Sequence, residues 1–524
     1  MKNLPRVTYS NTGEDFSGVH AYLDEILPDA QSRLLGKSRP GLIAGGDRAE
    51  GPVVAARSPI DCHIVLGEFP QADAALVDEA VAAARKAYPH WRDLGWPKRV
   101  AILRAGADVL EERKWDISIA CLVEVGKSRL EAVGEVEEAI DLIRHYCDEM
   151  ERSDGFRDDR PGASDAEKCS VVLRTYGVFG VIAPFNFPVA LAVGMMSAAL
   201  IAGNTVVFKP SDAAGLTGRL VVETLIAGGI PDGALNLVQG GDEAGKALAN
   251  HRQVDGIAFT GSNAVGMTIL RHAASSTAMR PVLAEMGGKN PAFVTASADL
   301  AVAASGVMRS AFGLSGQKCS AASKAYVARD ILDPFLDALA SATDKLTVGD
   351  PRQRETFMGP VIDAAAVERF KAAARDAAQS GSVLRGGDAL SGELFDCGTY
   401  VAPTIVTGLP AEHRLNREEI FLPFISIQPF DDLDVAIADA NRSDFGLTAG
   451  IFTQDQAELE RFLNTIEAGV LYANRAAGAT TGAWPGFQSF CGWKGSGTTG
   501  KGGLGSWYVP QFMREQSRTL IGAL

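Results

Sequence analysis

Val178-Phe-Gly-Val-Ile-Ala-Pro-Phe-Asn-Phe-Pro188, continued through Val189 to Ala202 and closed by Gly203-Asn-Thr-Val-Val-Phe-Lys209, is apolar from end to end. No charged residue stands between Thr175 and Phe208. By length alone that would suffice for a membrane span. Pro184 and Pro188 bracket Asn186, however, and Gly203-Asn204 ends the apolar run that begins at Val189. The piece from Val189 to Ala202 makes a helix of about 21 Å, short of the roughly 30 Å hydrocarbon core. The stretch therefore reads as strand (Val178 to Ala183), turn, buried helix and strand (Thr205 to Lys209).

The same alternation runs on. Helices are expected at Leu216 to Gly228, Asp242 to Ala249 and Val265 to Ala274. Strands are expected at Ala234 to Val238, Gly256 to Thr260 and Pro281 to Met286. Apolar strands alternating with helices imply a parallel sheet covered on both faces, which binds ligands at the carboxyl ends of its strands. Upstream, residues 1 to 50 read as an arm, with a helix from Val19 to Leu35. Apolar residues recur at helical spacing from Gln71 to Met150, the last helix carrying many carboxylates on its outer face. Arg152 to Glu167 reads as a polar surface loop, and Ser170 to Tyr176 as a strand. A second α/β region follows Gly288, and the tail is Gly-rich from Gly495 to Gly505.

The 524 residues, 46% hydrophobic, suffice for more than one domain. A net charge of −14 and the lack of a basic run argue against nucleic acid. The seven cysteines are scattered without a C-x-x-C pair, so neither a disulfide framework nor a metal site is expected, and a cytoplasmic setting fits. Met1 to His20 has no apolar run, so no signal peptide is expected, and no membrane association.

Five features carry chemistry. Cys319, in Phe312-Gly-Leu-Ser-Gly-Gln-Lys-Cys-Ser320, follows a Gly-rich segment between two apolar elements, as a presented nucleophile would. Most lone cysteines are small buried hydrophobes, the reading given to the other six. Glu285, in Leu283-Ala-Glu-Met-Gly-Gly288, is an acid at an apolar strand end, where desolvation raises its pKa toward general-base range; it also reads as a strand-end acid facing water. Asn186 offers an amide to a developing oxyanion, or stabilises its own turn. Lys209-Pro-Ser-Asp212 ends a strand: Lys209 suits ribose hydroxyls, and Asp212 would accept from a 2′-OH and repel a 2′-phosphate, favouring NAD over NADP. Gly261-Ser-Asn-Ala-Val-Gly266 opens a helix whose N–H groups can face a phosphate, with Ser262 beside them; it also reads as an ordinary strand-helix turn.

Taken together and in this order, the features resemble the NAD(P)-dependent aldehyde dehydrogenase superfamily from about residue 50 onward. The resemblance rests on Ala183-Pro-Phe-Asn-Phe-Pro188, Gly203 to Pro210, Phe259-Thr-Gly-Ser262, Glu285-Met-Gly-Gly-Lys-Asn290, Gly316-Gln-Lys-Cys319 and Glu418-Glu-Ile-Phe421. It implies a Rossmann-type cofactor domain (51–155 and 178–287), an α/β catalytic domain (288–494) and a small β oligomerisation extension (156–177 and 495–524), hence a homo-oligomer. It implies Cys319 as nucleophile, Glu285 as base for the hydrolytic water, and Asn186 with the Cys319 N–H as oxyanion hole. Lys209 and Glu419 would hold the riboses, Ser262 would meet the pyrophosphate, and Phe421 would pack near the nicotinamide. Leu422 and Cys491 stand where the family usually has Gly, which would narrow the pocket or shift the cofactor.

Within the superfamily the chain looks most like bacterial 1-pyrroline-5-carboxylate (L-glutamate γ-semialdehyde) dehydrogenases, through Gly316 to Ser323, Glu124-Val-Gly-Lys-Ser128, Glu138-Ala-Ile-Asp141 and Thr481-Gly-Ala483. That likeness implies substrate contacts from Ser320, Gly482, Ala483 and Phe490, with Glu138 meeting the substrate amine; Glu138 also reads as an exposed helix acid. Trp484 and Phe487 would instead suit an aromatic pocket for a bulkier aromatic or aliphatic aldehyde. The same scaffold could also transfer the acyl group to coenzyme A, which retention of Glu285 disfavours, or serve as a non-catalytic binding or structural protein.

Overall fold

The computed structural model describes residues 4–11, 13–275, 277, 279–476 and 482–522. Two seven-stranded sheets dominate it. In the first, Val282–Met286, Gly256–Gly261, Val178–Ile182, Thr205–Lys209 and Leu235–Leu237 lie side by side and parallel. Its far edge is extended by Gly41–Ile43 and Gly46–Arg48, which pair antiparallel. The back of the expected N-terminal arm is thus part of this sheet.

Helices cover both faces. Ala190–Ile201, twelve residues long, is buried nearly all round, as a helix apolar on every side must be. Ala74–Asp93 packs its small apolar residues Val77, Ala80, Val81 and Ala84 inward, and the Asp73 carboxylate caps it by accepting from Leu76 N–H at 2.9 Å. Among the described residues, no helix is long and apolar enough to cross a membrane.

The second sheet runs Ser382–Arg385, Thr404–Thr407, Phe424–Phe430, Ala322–Ala328, Asn290–Val294, Thr448–Phe452 and Val470–Ala473. All its pairings are parallel except that of the Ser382–Arg385 edge. Leu300–Phe312 packs on it and leads into the Cys319 loop. A smaller, three-stranded antiparallel sheet joins Arg157–Pro161, Glu167–Thr175 and Met513–Ile521. The segment 152–167, expected as a loop, therefore contains a strand. Its polar Arg157–Pro161 sequence lacks apolar alternation because every residue of that strand is exposed.

The helix Arg129–Arg152 also departs from expectation. Its Glu135, Glu137 and Glu138 are buried rather than turned to water. Each has a partner: Glu135 pairs with Lys127 at 2.5 Å and accepts from the N–H groups of Val189 and Ala190. Glu137 meets Arg6 and Lys114. Glu138 accepts from the Tyr9 hydroxyl at 2.8 Å. Glu135 thereby caps the helix beyond Asn186, a placement favoured by the helix dipole.

Candidate active site

Cys319 is held by backbone geometry that few sequences permit. Leu314 (φ 49°), Ser315 (φ 54°) and Gly316 (φ 67°) lie consecutively in the left-handed region. A Cβ on Gly316 would overlap the Leu422 carbonyl. We expect Gly316→Ala to destabilise the fold by at least about 2 kcal/mol, read as a lower thermal midpoint. The loop is tied down from outside: Ser315 Oγ donates to the Gly359 carbonyl at 2.7 Å, and Ile362 N–H donates to Gln317 Oε1 at 2.9 Å. Buried Asn290 donates to the carbonyls of Cys319 (2.6 Å) and Ala321 (2.9 Å). The motif Glu285 to Asn290 contains this residue, but only the fold brings it to the cysteine.

Cys319 lies on the shared wall of two cavities. The larger, about 620 Å³, is lined by Lys209, Asp212, Gly261, Ser262, Glu419 and Phe421, and by Asn186. These residues come from the carboxyl ends of the first sheet's strands and from the loop after residue 417. Ser262 caps the helix Asn263–Ala274 by accepting from Val265 N–H. Lys209 is buried, and burial lowers its pKa; its ammonium has only a long 3.5 Å contact to the Gly241 carbonyl. Glu419 accepts from Gly288 N–H at 2.9 Å, and burial pushes its carboxyl up to about 7. A Cβ on Gly287 would strike that carboxylate. An under-partnered buried cation, a helix N-terminus and glycine-lined approaches suit a dinucleotide with anionic phosphates and hydroxylated riboses.

The smaller chamber, about 120 Å³, is lined by Glu285, Ser320, Glu138, Ala483 and Phe490, with Tyr9, Tyr146, Phe187 and Tyr508 supplying most of its aromatic surface. Burial pushes Glu285 up to about 8, and its Oε2 is buried with no hydrogen-bond partner among the described residues. Burial, with Glu419 and Glu285 nearby, pushes the Cys319 thiol up to about 12. Burial likewise pushes Glu138 up to about 7. Asn186 is buried and donates from Nδ2 to the Gln317 carbonyl at 2.9 Å, which orients its amide beside the cysteine loop.

Several expectations need correction. Gly482 stands off the chamber wall; its φ is +70° and a Cβ there would meet the Arg475 guanidinium. Thr481 lies outside the described residues. Phe487 is 87% exposed and cannot line a pocket. Trp484 is buried, but it donates to Asp141 at 2.8 Å and packs edge-on against Tyr9 behind the wall. Leu422 points into a core cluster with Val361 and Phe370 rather than into the cofactor cavity. Cys491 is buried with its thiol on the Gly469 carbonyl. Neither it nor Leu422 lines either cavity at Cys319. Of the two readings of Glu138, the exposed helix acid is the one that fails, since the residue is buried and lines the chamber. Tyr9, from the N-terminal arm, was missed because nothing in its local sequence marks it.

A model of the aldehyde dehydrogenase family matches residues 48–517. The chain is 35% identical over 475 residues to the 1-pyrroline-5-carboxylate dehydrogenase of Bacillus subtilis (strain 168), covering 90% of each chain. It superposes on a Thermus 1-pyrroline-5-carboxylate dehydrogenase solved with bound NAD at a TM-score of 0.92 and 31% identity, covering 99% of this chain and 100% of that one. It matches proline utilization A (PutA) from Bdellovibrio bacteriovorus at a TM-score of 0.91 and 31% identity, covering 96% of this chain but only about half, 52%, of that longer one. With the second sheet, the five parallel strands of the first and the cysteine loop inside the matched region, the chain belongs to the aldehyde dehydrogenase family and is an oxidoreductase acting on aldehydes.

Proposed function

We propose that the chain oxidises L-glutamate γ-semialdehyde to glutamate with NAD, in the cytoplasm. The observation that carries this reading is the position of Cys319 between a cavity suited to a dinucleotide and a chamber that holds Glu285 and Glu138. The names of the relatives support the substrate. Asp212 on the cavity wall supports NAD over NADP, since a carboxylate repels a 2′-phosphate.

Cys319 first gives up its proton to water, and its thiolate Sγ then bonds to the aldehyde carbon. The resulting oxyanion accepts from the second Asn186 Nδ2–H and from the Cys319 N–H. Lys209, Ser262 and Glu419 would hold NAD, which would supply the acceptor for the hydride whose loss turns the thiohemiacetal into a thioester. Glu285 then takes a proton from water, which adds to the thioester carbon. The C–S bond breaks, Cys319 leaves as thiolate, and the acid is released. The same oxyanion donors serve both tetrahedral stages. Glu138 receives the substrate ammonium and Ser320 helps orient its backbone. Exposed strands in the three-stranded sheet, with Leu520 and Ile521 uncovered on Met513–Ile521, support assembly of copies through that sheet.

The aromatic lining of the chamber supports a second reading, a bulkier aromatic aldehyde. A panel comparing kcat/KM for NADH formation decides. Glutamate γ-semialdehyde should exceed aliphatic and aromatic aldehydes by at least about tenfold, and a preference for an aromatic aldehyde would overturn the substrate assignment. Coenzyme A added to the same assay should give no thioester product.

A further inference from the structure

We propose that Asp61, Cys62, His63 and Cys397 form a binding site for a thiophilic divalent cation of the zinc type, joining the loop before Val65–Pro70 to the segment Glu393–Cys397. The cysteines are far apart in sequence, and their spacing gave no hint of a metal site. The fold brings one ligand atom from each of the four residues within 4.8 Å of all the others. A tetrahedral zinc ion with bonds of about 2.0–2.3 Å sets its ligand atoms about 3.3–3.8 Å apart. The Cys397 Sγ to His63 Nε2 distance is already 3.5 Å. Closing the remaining gaps needs side-chain shifts on the order of 1 Å, with no change of backbone path.

The backbone beneath these side chains is fixed. Cys62 N–H donates to the Cys397 carbonyl at 2.7 Å, so the two cysteine-bearing segments are already joined. His63 N–H donates to Asp61 Oδ1 at 2.8 Å and Ile64 N–H to the Asp61 carbonyl at 3.0 Å, which makes a tight turn of Asp61-Cys62-His63. Arg57 donates to the Cys62 carbonyl at 2.6 Å. Behind the turn, fully buried Ile60 accepts from the Tyr400 hydroxyl through its carbonyl, and Thr399 N–H donates to the Pro59 carbonyl.

The donor set decides the ligand class. Two sulfurs, an imidazole nitrogen and one carboxylate oxygen favour zinc-like cations over magnesium or calcium, which want oxygen alone. A disulfide would use only two of the four converging donors, so the arrangement favours a metal. Binding converts both thiols to thiolates and releases two protons. None of the four residues lines either cavity at Cys319, so the site acts as a structural clip and not in the aldehyde chemistry.

Cobalt(II) titrated into the reduced full-length chain tests this, with Cys319→Ala as background so that the nucleophile does not compete. One equivalent should remain after desalting, with a thiolate-to-cobalt charge-transfer band. The double change Cys62→Ser and Cys397→Ser should abolish both signals, and His63→Ala should weaken binding by at least about tenfold. Circular dichroism checks that the variants fold. Asp61→Asn, which keeps the turn, should weaken binding without altering the charge-transfer intensity per bound ion. A band unaffected by the cysteine changes overturns the proposal. So does failure to retain metal, including the case in which non-reducing mass spectrometry finds a Cys62–Cys397 disulfide and the reduced chain still takes up none.

Discussion

Cys319→Ala should lower NADH formation by at least about 10⁴-fold while leaving the dissociation constant for NAD nearly unchanged. The split comes from geometry. Among the described residues, Cys319 is the one thiol on the wall between the two cavities, so its loss removes the bond that makes hydride loss possible. Lys209, Ser262 and Glu419 contact the cofactor cavity independently of the sulfur. Buried Cys121, Cys147 and Cys491 are bound to other groups and cannot substitute. Calorimetry with NAD and a steady-state assay on the same preparation check both halves. Substantial turnover in the variant, or lost NAD binding in a folded variant, counts against the assignment.

Glu285→Gln should slow the steady state by about 10²–10⁴-fold and leave a rapid first turnover of NADH. The amide has the shape of the acid but cannot take a proton from water, so the thioester should accumulate. The wild-type rate should rise with pH through about 8, where Glu285 ionises, and this rise should vanish in the variant. Stability should move the other way. Burial raises the folded pKa from 4.5 to about 8, so folding favours the protonated form. That contribution is complete below about 4.5 and is lost as pH rises through about 8. Above that pH, Glu285→Gln should melt higher than the native chain, the exchange of stability for function expected of a buried catalytic carboxylate.

The parallel sheets were legible because their strands are continuous apolar runs punctuated by Gly and Pro, as at Val178–Ile182 and Thr205–Lys209. The cysteine loop was legible because Gly316-Gln-Lys-Cys319 and Glu285-Met-Gly-Gly288 are compact local patterns. Features that escaped the sequence depend on long-range partners. Glu135 reads as a solvated helix acid, and only the family resemblance sets Glu138 apart from that reading, because periodicity records only which face is polar, not whether Lys127, a helix N-terminus or Tyr9 waits on that face. Phe487 read as a pocket residue because hydrophobicity does not fix direction, and the chain turns it outward. Leu422 and Cys491 read as intrusions into the pocket, yet one fills the core and the other sits against a carbonyl. Tyr9 and the Cys62–Cys397 neighbourhood unite residues from distant parts of the chain, and no local spacing marks either.

The most direct measurement is peptide mapping of Glu285→Gln quenched in acid after mixing with NAD and glutamate γ-semialdehyde. A glutamyl thioester on Cys319 is expected, in amount equal to the NADH formed in the first turnover. NADH formation with Cys319 unmodified, or acylation at another residue, would contradict the mechanism.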